Sequence, residues 1–178
     1  DVYDKATVSS HSGSTIYYNH SFNPADNLNG YFIQNHITTL DQLGEWFYDV
    51  SKRKLNIYFG SSSPGTHSVQ VSTANNVIYG TSVNFITFDN LAIQGANQNN
   101  IHLLYSSNIN ITRCDIKFAG ADGIYASACS VIKVQNNTIT DCHNIALEMG
   151  GPGVTWNITN NLIKNISLFP GMAKTGYN

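Results

Sequence analysis

Asn108-Ile109-Asn110-Ile111-Thr112-Arg113-Cys114-Asp115-Ile116 and Val131-Ile132-Lys133-Val134-Gln135-Asn136-Asn137-Thr138-Ile139 are one phrase written twice. Two more copies flank them, Phe85-Ile86-Thr87-Phe88-Asp89-Asn90-Leu91-Ala92-Ile93 before and Thr155-Trp156-Asn157-Ile158-Thr159-Asn160-Asn161-Leu162-Ile163 after. Ile86, Ile109 and Ile132 recur every 23 residues, and Trp156 follows Ile132 by 24. A fixed period of this size marks a solenoid. Inside each copy the apolar residues alternate: Ile86 and Phe88, Ile109 and Ile111, Ile132 and Val134, Trp156 and Ile158. Period two means a strand with one side turned inward. A second short strand ends at Ile93, Ile116, Ile139 and Ile163, and a third follows at Ile101-Leu103, Ile124-Ala126 and Ile145-Leu147. No helix-length run with 3.6 spacing interrupts them. The pattern therefore predicts an all-β parallel β-helix of four to five turns, about 23 residues each, with hydrogen bonds running along the axis.

The paired asparagines fall at one corner of successive turns, Asn136-Asn137 and then Asn160-Asn161. Asn tolerates the left-handed backbone of a tight corner, and stacked Asn side chains can bond to one another along the axis. Asn90 and Arg113 hold the first column earlier on, and Leu91 and Cys114 the second, so the ladder is complete only in the later turns.

Outside the repeats, Thr15-Ile16-Tyr17-Tyr18 and Tyr31-Phe32-Ile33 read as strands, separated by the turn cluster Asn23-Pro24-Ala25-Asp26-Asn27. Leu40 to Asp49, a polar turn at Val50 to Lys54, and Leu55-Asn56-Ile57-Tyr58-Phe59 read as a hairpin. Val69-Gln70-Val71 and Val77-Ile78-Tyr79 match the second and third strands of a turn. The coils are thus expected over 68–178, after an N-terminal strand-rich region at 1–67 that carries the hairpin as a cap over 40–59.

The 178 residues are 42% hydrophobic but only 11% charged, with a net charge of −2. This balance excludes the basic footprint of a nucleic-acid binder and a polybasic membrane patch. No apolar run approaches the roughly 18 residues of a membrane span. Cys114, Cys129 and Cys142 change register from turn to turn and lack metal spacing, so they read as buried thiols. Five N-x-S/T sequons, at Asn19, Asn110, Asn136, Asn157 and Asn165, are what an Asn- and Thr-rich repeat generates by chance. A glycan on Asn136 is expected to disrupt the corner stacking.

The string Leu40-Asp41-Gln42-Leu43-Gly44-Glu45-Trp46-Phe47-Tyr48-Asp49, a short turn and then Leu55-Asn56-Ile57-Tyr58 resembles the segment that precedes the coils in secreted right-handed parallel β-helix proteins of the carbohydrate-active kind. These include glycoside hydrolases and polysaccharide-lyase-like proteins, many of them bacterial. The resemblance covers most of residues 40–165. With the usual chirality of parallel crossovers, it implies a right-handed coil. It also implies a secreted or cell-surface protein, and a polysaccharide laid along one outer face of the stacked strands. Trp46, Phe47 and Tyr48 are expected to plug the end of the coil.

On the third strand, inward Ile101, Leu103, Ile124, Ala126, Ile145 and Leu147 would turn His102, Tyr125 and Glu148 outward, along with Leu104, Ser127 and Ala146. The preceding corner would stack Asn99, Asp122 and His143. A hydrolase needs two carboxylates, and Asp122 with Glu148 is the best pair available. A lyase needs a base, from Tyr125, His143 or Lys174, and a cation to neutralise a uronate. Arginine is scarce, so a calcium ion on Asp115, Asp122 or Asp141 is the alternative cation, although no D-x-D-x-D loop accompanies them. The predicted catalytic set is therefore Asp122, Glu148 and His143, and the predicted substrate-binding set His102, Tyr125 and Lys174. Each has a plain structural alternative: Asp122 as a turn residue, His143 as a surface hydrogen-bonder.

The functions compatible with this pattern are a polysaccharide hydrolase or lyase, a non-catalytic stalk, adhesin or glycan-binding module, and an enzyme portion whose catalytic turns lie beyond Asn178. A chain that begins at Asp1 without Met reads as a mature or excised product. A last turn with no visible cap reads as one that meets further turns or another chain.

Overall fold

A computed structural model describes residues 6–19, 31–151 and 155–168. Two compact units divide the chain, one within Lys5–Gln70 and one within Val71–Asn178.

The first unit is built of hairpins. Strand β1 (Thr7–Ser12) pairs antiparallel with β2 (Thr15–Asn19), through a turn whose Gly13 has φ +58°. Strand β3 (Trp46–Asp49) pairs antiparallel with β4 (Lys54–Ile57), Trp46 opposite Ile57 and Asp49 opposite Lys54. The Asp49 carboxylate accepts from the Ser51 hydroxyl at 2.6 Å and the Lys52 amide at 3.1 Å, which closes the turn. Glu45 explains the loop ahead of β3. Its Oε2 accepts the Asp41 and Gln42 amides, both at 2.7 Å, and these bonds hold its pKa below the ordinary glutamate value. Trp46 and Tyr48 are exposed and Phe47 is half-buried. Tyr31-Phe32-Ile33 is not a strand. It is exposed, and no strand pairs with it among the described residues. The Asn23–Asn27 cluster lies outside the described residues.

The second unit is the coil. It opens with β5 (Asn76–Thr81). Three turns follow: β6 (Thr87–Asp89), β7 (Ala92–Gln94) and β8 (Asn99–Leu104); then β9 (Ser107–Thr112), β10 (Asp115–Ala119) and β11 (Ile124–Ser127); then β12 (Ser130–Gln135), β13 (Thr138–Cys142) and β14 (Leu147–Gly150). It continues through β15 (Trp156–Thr159) and β16 (Leu162–Ile166). These strands form three parallel four-stranded sheets, β6-β9-β12-β15, β7-β10-β13-β16 and β5-β8-β11-β14. The fold is the expected β-solenoid of about four turns. Repeat positions stack in register: Ile109 on Ile132 on Trp156, and Ile116 on Ile139 on Ile163. Ile101, Ile109, Ile111, Ile116, Ile124, Ile132, Val134 and Ile139 are fully buried. Each is worth about 1.5–3 kcal/mol relative to exposure. In the last turn Ile158 and Ile163 are 43% exposed, whereas Val134 and Ile139, their neighbours in register, are at 0%.

Two details differ from the sequence reading. Val69-Gln70-Val71 forms no strand. Val69 and Val71 are exposed, and the Ser72 hydroxyl turns the chain locally by donating to the Ala74 carbonyl. The third strand of the last full turn also begins later, with Leu147 on Ile124 and Met149 on Ala126. The 23-residue ladder overrides the apolar alternation that made Ile145 its first inward residue, and Ala146 is buried rather than outward.

The corners are the most regular part of the coil. Left-handed residues stack in four columns: Ser82, Tyr105, Ala128 and Gly151; Phe85, Asn108 and Val131; Asn90, Arg113, Asn136 and Asn160; Gly95, Phe118, Asp141 and Asn165. The two asparagines of each pair divide the work. Asn136 and Asn160 supply the left-handed backbone, while Asn137 and Asn161 make the ladder. The Asn137 side chain donates to Asn161 Oδ1 at 3.0 Å and to the Ile111 carbonyl at 2.9 Å, and it accepts the Cys114 amide at 2.9 Å. Asn136 is exposed, so a glycan there would meet the corner but not the ladder.

Candidate functional site

Because side chains alternate along a strand and the turns stack without slippage, the outer face of β5-β8-β11-β14 carries one straight column: Tyr79, His102, Tyr125 and Glu148. The Tyr79 and His102 ring centroids are 5.3 Å apart, and those of His102 and Tyr125 are 4.7 Å apart, each pair tilted by 44°. Tyr79 is 58% exposed; His102, Tyr125 and Glu148 are half-buried. The next outward column is Thr81, Leu104 and Ser127, and beyond it Tyr105 stands exposed on the corner. The face thus offers ring edges with hydroxyl and imidazole groups, and at one end the Glu148 carboxyl group, whose Oε2 is shut off from solvent. Such amphipathic rings suit a ligand that is apolar on one side and hydroxylated on the other.

Three predicted residues, His102, Tyr125 and Glu148, come together here. Tyr79 joins them unanticipated. It stands 23 residues before His102 on a stretch already read as a third strand, so the alternation that turned His102 outward could have found it.

Asp122 does not join them. It is fully buried, and its Oδ1 accepts from Asn144 Nδ2 at 2.6 Å and the Ile145 amide at 3.3 Å. Its other oxygen is shut off from solvent with no hydrogen-bond partner among the described residues. The corner turns this side chain inward, so the Asp122–Glu148 hydrolase pair is not assembled on the face. His143 is also displaced. Its amide bonds to the Ala119 carbonyl, as the Gly120 amide bonds to Ala96, so it continues the Gly120 column and not the Asp122 column. It is exposed, and partial desolvation lowers its pKa. Lys174 lies outside the described residues.

The acidic residues considered for calcium do not converge. Asp115 pairs with Lys117 at 2.8 Å, Asp122 is inside, and Asp141 accepts from Asn165 at 2.9 Å on an outer corner. Among the described residues no three His, Cys, Asp or Glu side chains gather as a metal site would require. Arg113 is engaged with Asp89 on a different sheet. The three cysteines are unpaired and buried, and burial pushes the Cys142 thiol up to about 11. The outer face of β6-β9-β12-β15 is polar and self-satisfied: Asn110 donates to Thr87 at 3.2 Å and Gln135 to Asn157 at 3.1 Å.

Residues 75–171 match the family described as Right handed beta helix region. No curated protein and no solved structure matches the chain.

Proposed function

The chain belongs to the right-handed β-helix family, and from that premise we propose that it is a polysaccharide-recognising module of a secreted or cell-surface protein. The polymer is held on the outer face of β5-β8-β11-β14. The observation that carries this reading is the column Tyr79–His102–Tyr125, closed by Glu148, on an outward face of the coil. Its rungs repeat at the strand spacing of roughly 4.8 Å, close to the length of one sugar unit. The column therefore offers similar contacts to successive residues of a chain.

Binding is favoured over hydrolysis. A glycoside hydrolase sets two carboxyl groups across the scissile bond, and Glu148 has no second carboxylate beside it on this face among the described residues. One arrangement favours elimination as a second reading. Tyr125 sits between His102 and Glu148, a phenol with an imidazole on one side and a carboxyl group on the other, and a phenol can serve as a general base.

The test is a panel of neutral and uronate polysaccharides, scored by affinity, by new reducing ends and by absorbance of unsaturated uronates. Tyr79→Ala and Tyr125→Ala are expected to weaken binding about tenfold each, from one ring contact of roughly 0.5–1.5 kcal/mol together with the lost apolar area. Lys133→Ala, on another sheet, is expected to change nothing. Unsaturated ends that disappear in Tyr125→Phe would establish a lyase. Reducing ends without unsaturation that survive Asp122→Asn and vanish in Glu148→Gln would establish a hydrolase with a different partner acid. No binding to any polymer would favour a stalk and sink the proposal.

A further inference from the structure

We propose that Asn99 is a positioning residue that fixes His102 as a neutral imidazole with its hydrogen on Nε2. In this state the centre of the aromatic column is an uncharged donor suited to uncharged glycans. The substrate-class part of this inference rests on the reading of that face given above; the state of the ring does not.

Three groups in sequence impose it. A backbone N–H can only donate, and the Asp122 amide points at Asn99 Oδ1 at 3.2 Å. That contact decides which end of the Asn99 amide is oxygen, because the flipped amide would set its NH2 against the Asp122 N–H. Nδ2 is then the end that faces His102 Nδ1, at 3.0 Å. An amide nitrogen donates and cannot accept, so Nδ1 must be the ring's acceptor. A neutral imidazole with an acceptor at Nδ1 carries its hydrogen on Nε2. Asn99 is 6% exposed, so water does not readily replace it, and a second proton on the ring would set two donors against each other in a dry contact.

The groups facing the ring from neighbouring strands do not reverse this. Tyr79 and Tyr125 flank it with their rings. Glu148 is one rung beyond Tyr125, and the Asp122 carboxylate faces Asn144. A protonated histidine in this column would attract carboxylated polymers. A ring held neutral offers no positive charge to pair with a uronate. The face is accordingly matched to neutral polysaccharide.

The decisive measurement is a long-range proton–nitrogen correlation spectrum of the His102 side chain near neutral pH, assigned by its loss in His102→Gln. The wild type is expected to show one pyrrole-like nitrogen, Nε2, and one pyridine-like nitrogen, Nδ1. In Asn99→Asp one carboxylate oxygen can still accept the Asp122 amide while the other accepts from Nδ1. The ring hydrogen should then move to Nδ1, leaving Nε2 pyridine-like, and the added carboxylate should lower affinity for a polyuronate relative to a neutral glucan. If that variant does not fold, Asn99→Ala should bring both nitrogens to averaged shifts. A wild-type spectrum with the hydrogen on Nδ1, averaged shifts or a charged ring overturns the proposal. So does an Asn99→Asp protein whose ring hydrogen stays on Nε2. The expected spectra with no affinity for any glycan would uphold Asn99 as the positioning residue, and the failure would belong to the glycan-binding reading.

Discussion

Asn137→Ala tests whether the corner ladder holds the coil together or merely decorates it. Asn137 is 2% exposed and makes three side-chain hydrogen bonds, with the Cys114 amide, the Ile111 carbonyl and Asn161. Alanine leaves the Cys114 N–H without its acceptor in a place water does not reach. An abandoned buried donor costs about 1–3 kcal/mol. The Ile111 carbonyl loses one partner and keeps a second lone pair, which adds about 0.5–1 kcal/mol. Asn161 still accepts the Asn137 amide at 2.9 Å, because that bond is to backbone. The expected loss is therefore about 2–4 kcal/mol, which for a chain of this size lowers Tm by roughly 5–15 °C. Urea unfolding followed by far-ultraviolet circular dichroism measures it, with the slope unchanged if only stability has moved. Asn157→Ala is the control. It removes one exposed bond, from Gln135, and should stay within about 0.5 kcal/mol of wild type. A loss in Asn137→Ala below about 1 kcal/mol, or one equal to the control, would refute the argument.

The folded protein should not react with a thiol reagent at pH 8, because all three cysteines are buried and burial pushes Cys142 to about 11; three thiols should titrate once it is unfolded, and fast labelling of the native state would contradict the packing. Val131 is β-branched, 40% exposed and at φ 53°, a conformation that costs about 1–2 kcal/mol for such a residue; Val131→Asn should raise stability by about 0.5–1 kcal/mol, and thermal melts that show a decrease would count against it. The Ser51 hydroxyl, the Lys52 side chain and the Lys52 amide lower the Asp49 carboxyl from 3.8 to about 2. A depressed carboxyl stabilises the fold fully above 3.8 and loses that contribution as pH falls towards 2, so carboxyl NMR should find Asp49 titrating near 2 and moving upward in Ser51→Ala; a titration near 3.8 in the wild type would show that the turn is not formed.

The coil was legible in the sequence because both of its signals are local and repeated. Alternation decides the face, the 23-residue period decides the register, and the two agree at Ile86, Ile109 and Ile132. They disagree at Ile145, where alternation suggested an inward strand residue and the ladder chose Leu147. The corners were legible only where Asn marked them. Phe85, Tyr105, Phe118 and Val131 occupy left-handed positions that nothing in their chemistry announces, because the stacked backbone imposes that conformation on whatever residue arrives there. The site was half legible for the same reason. His102, Tyr125 and Glu148 follow from alternation. Asp122 and His143 lie at a corner, where alternation stops and a side chain's direction depends on one dihedral angle.

The vertical run of backbone hydrogen bonds has a mechanical consequence. A load applied to the C-terminal end of the coil along its axis pulls each ladder open from its edge, so strands peel off one after another and are not sheared all at once. Each turn released would add about 80 Å of contour, from about 23 residues at 3.3–3.6 Å each. Under tension the coil would yield in even steps, one turn at a time.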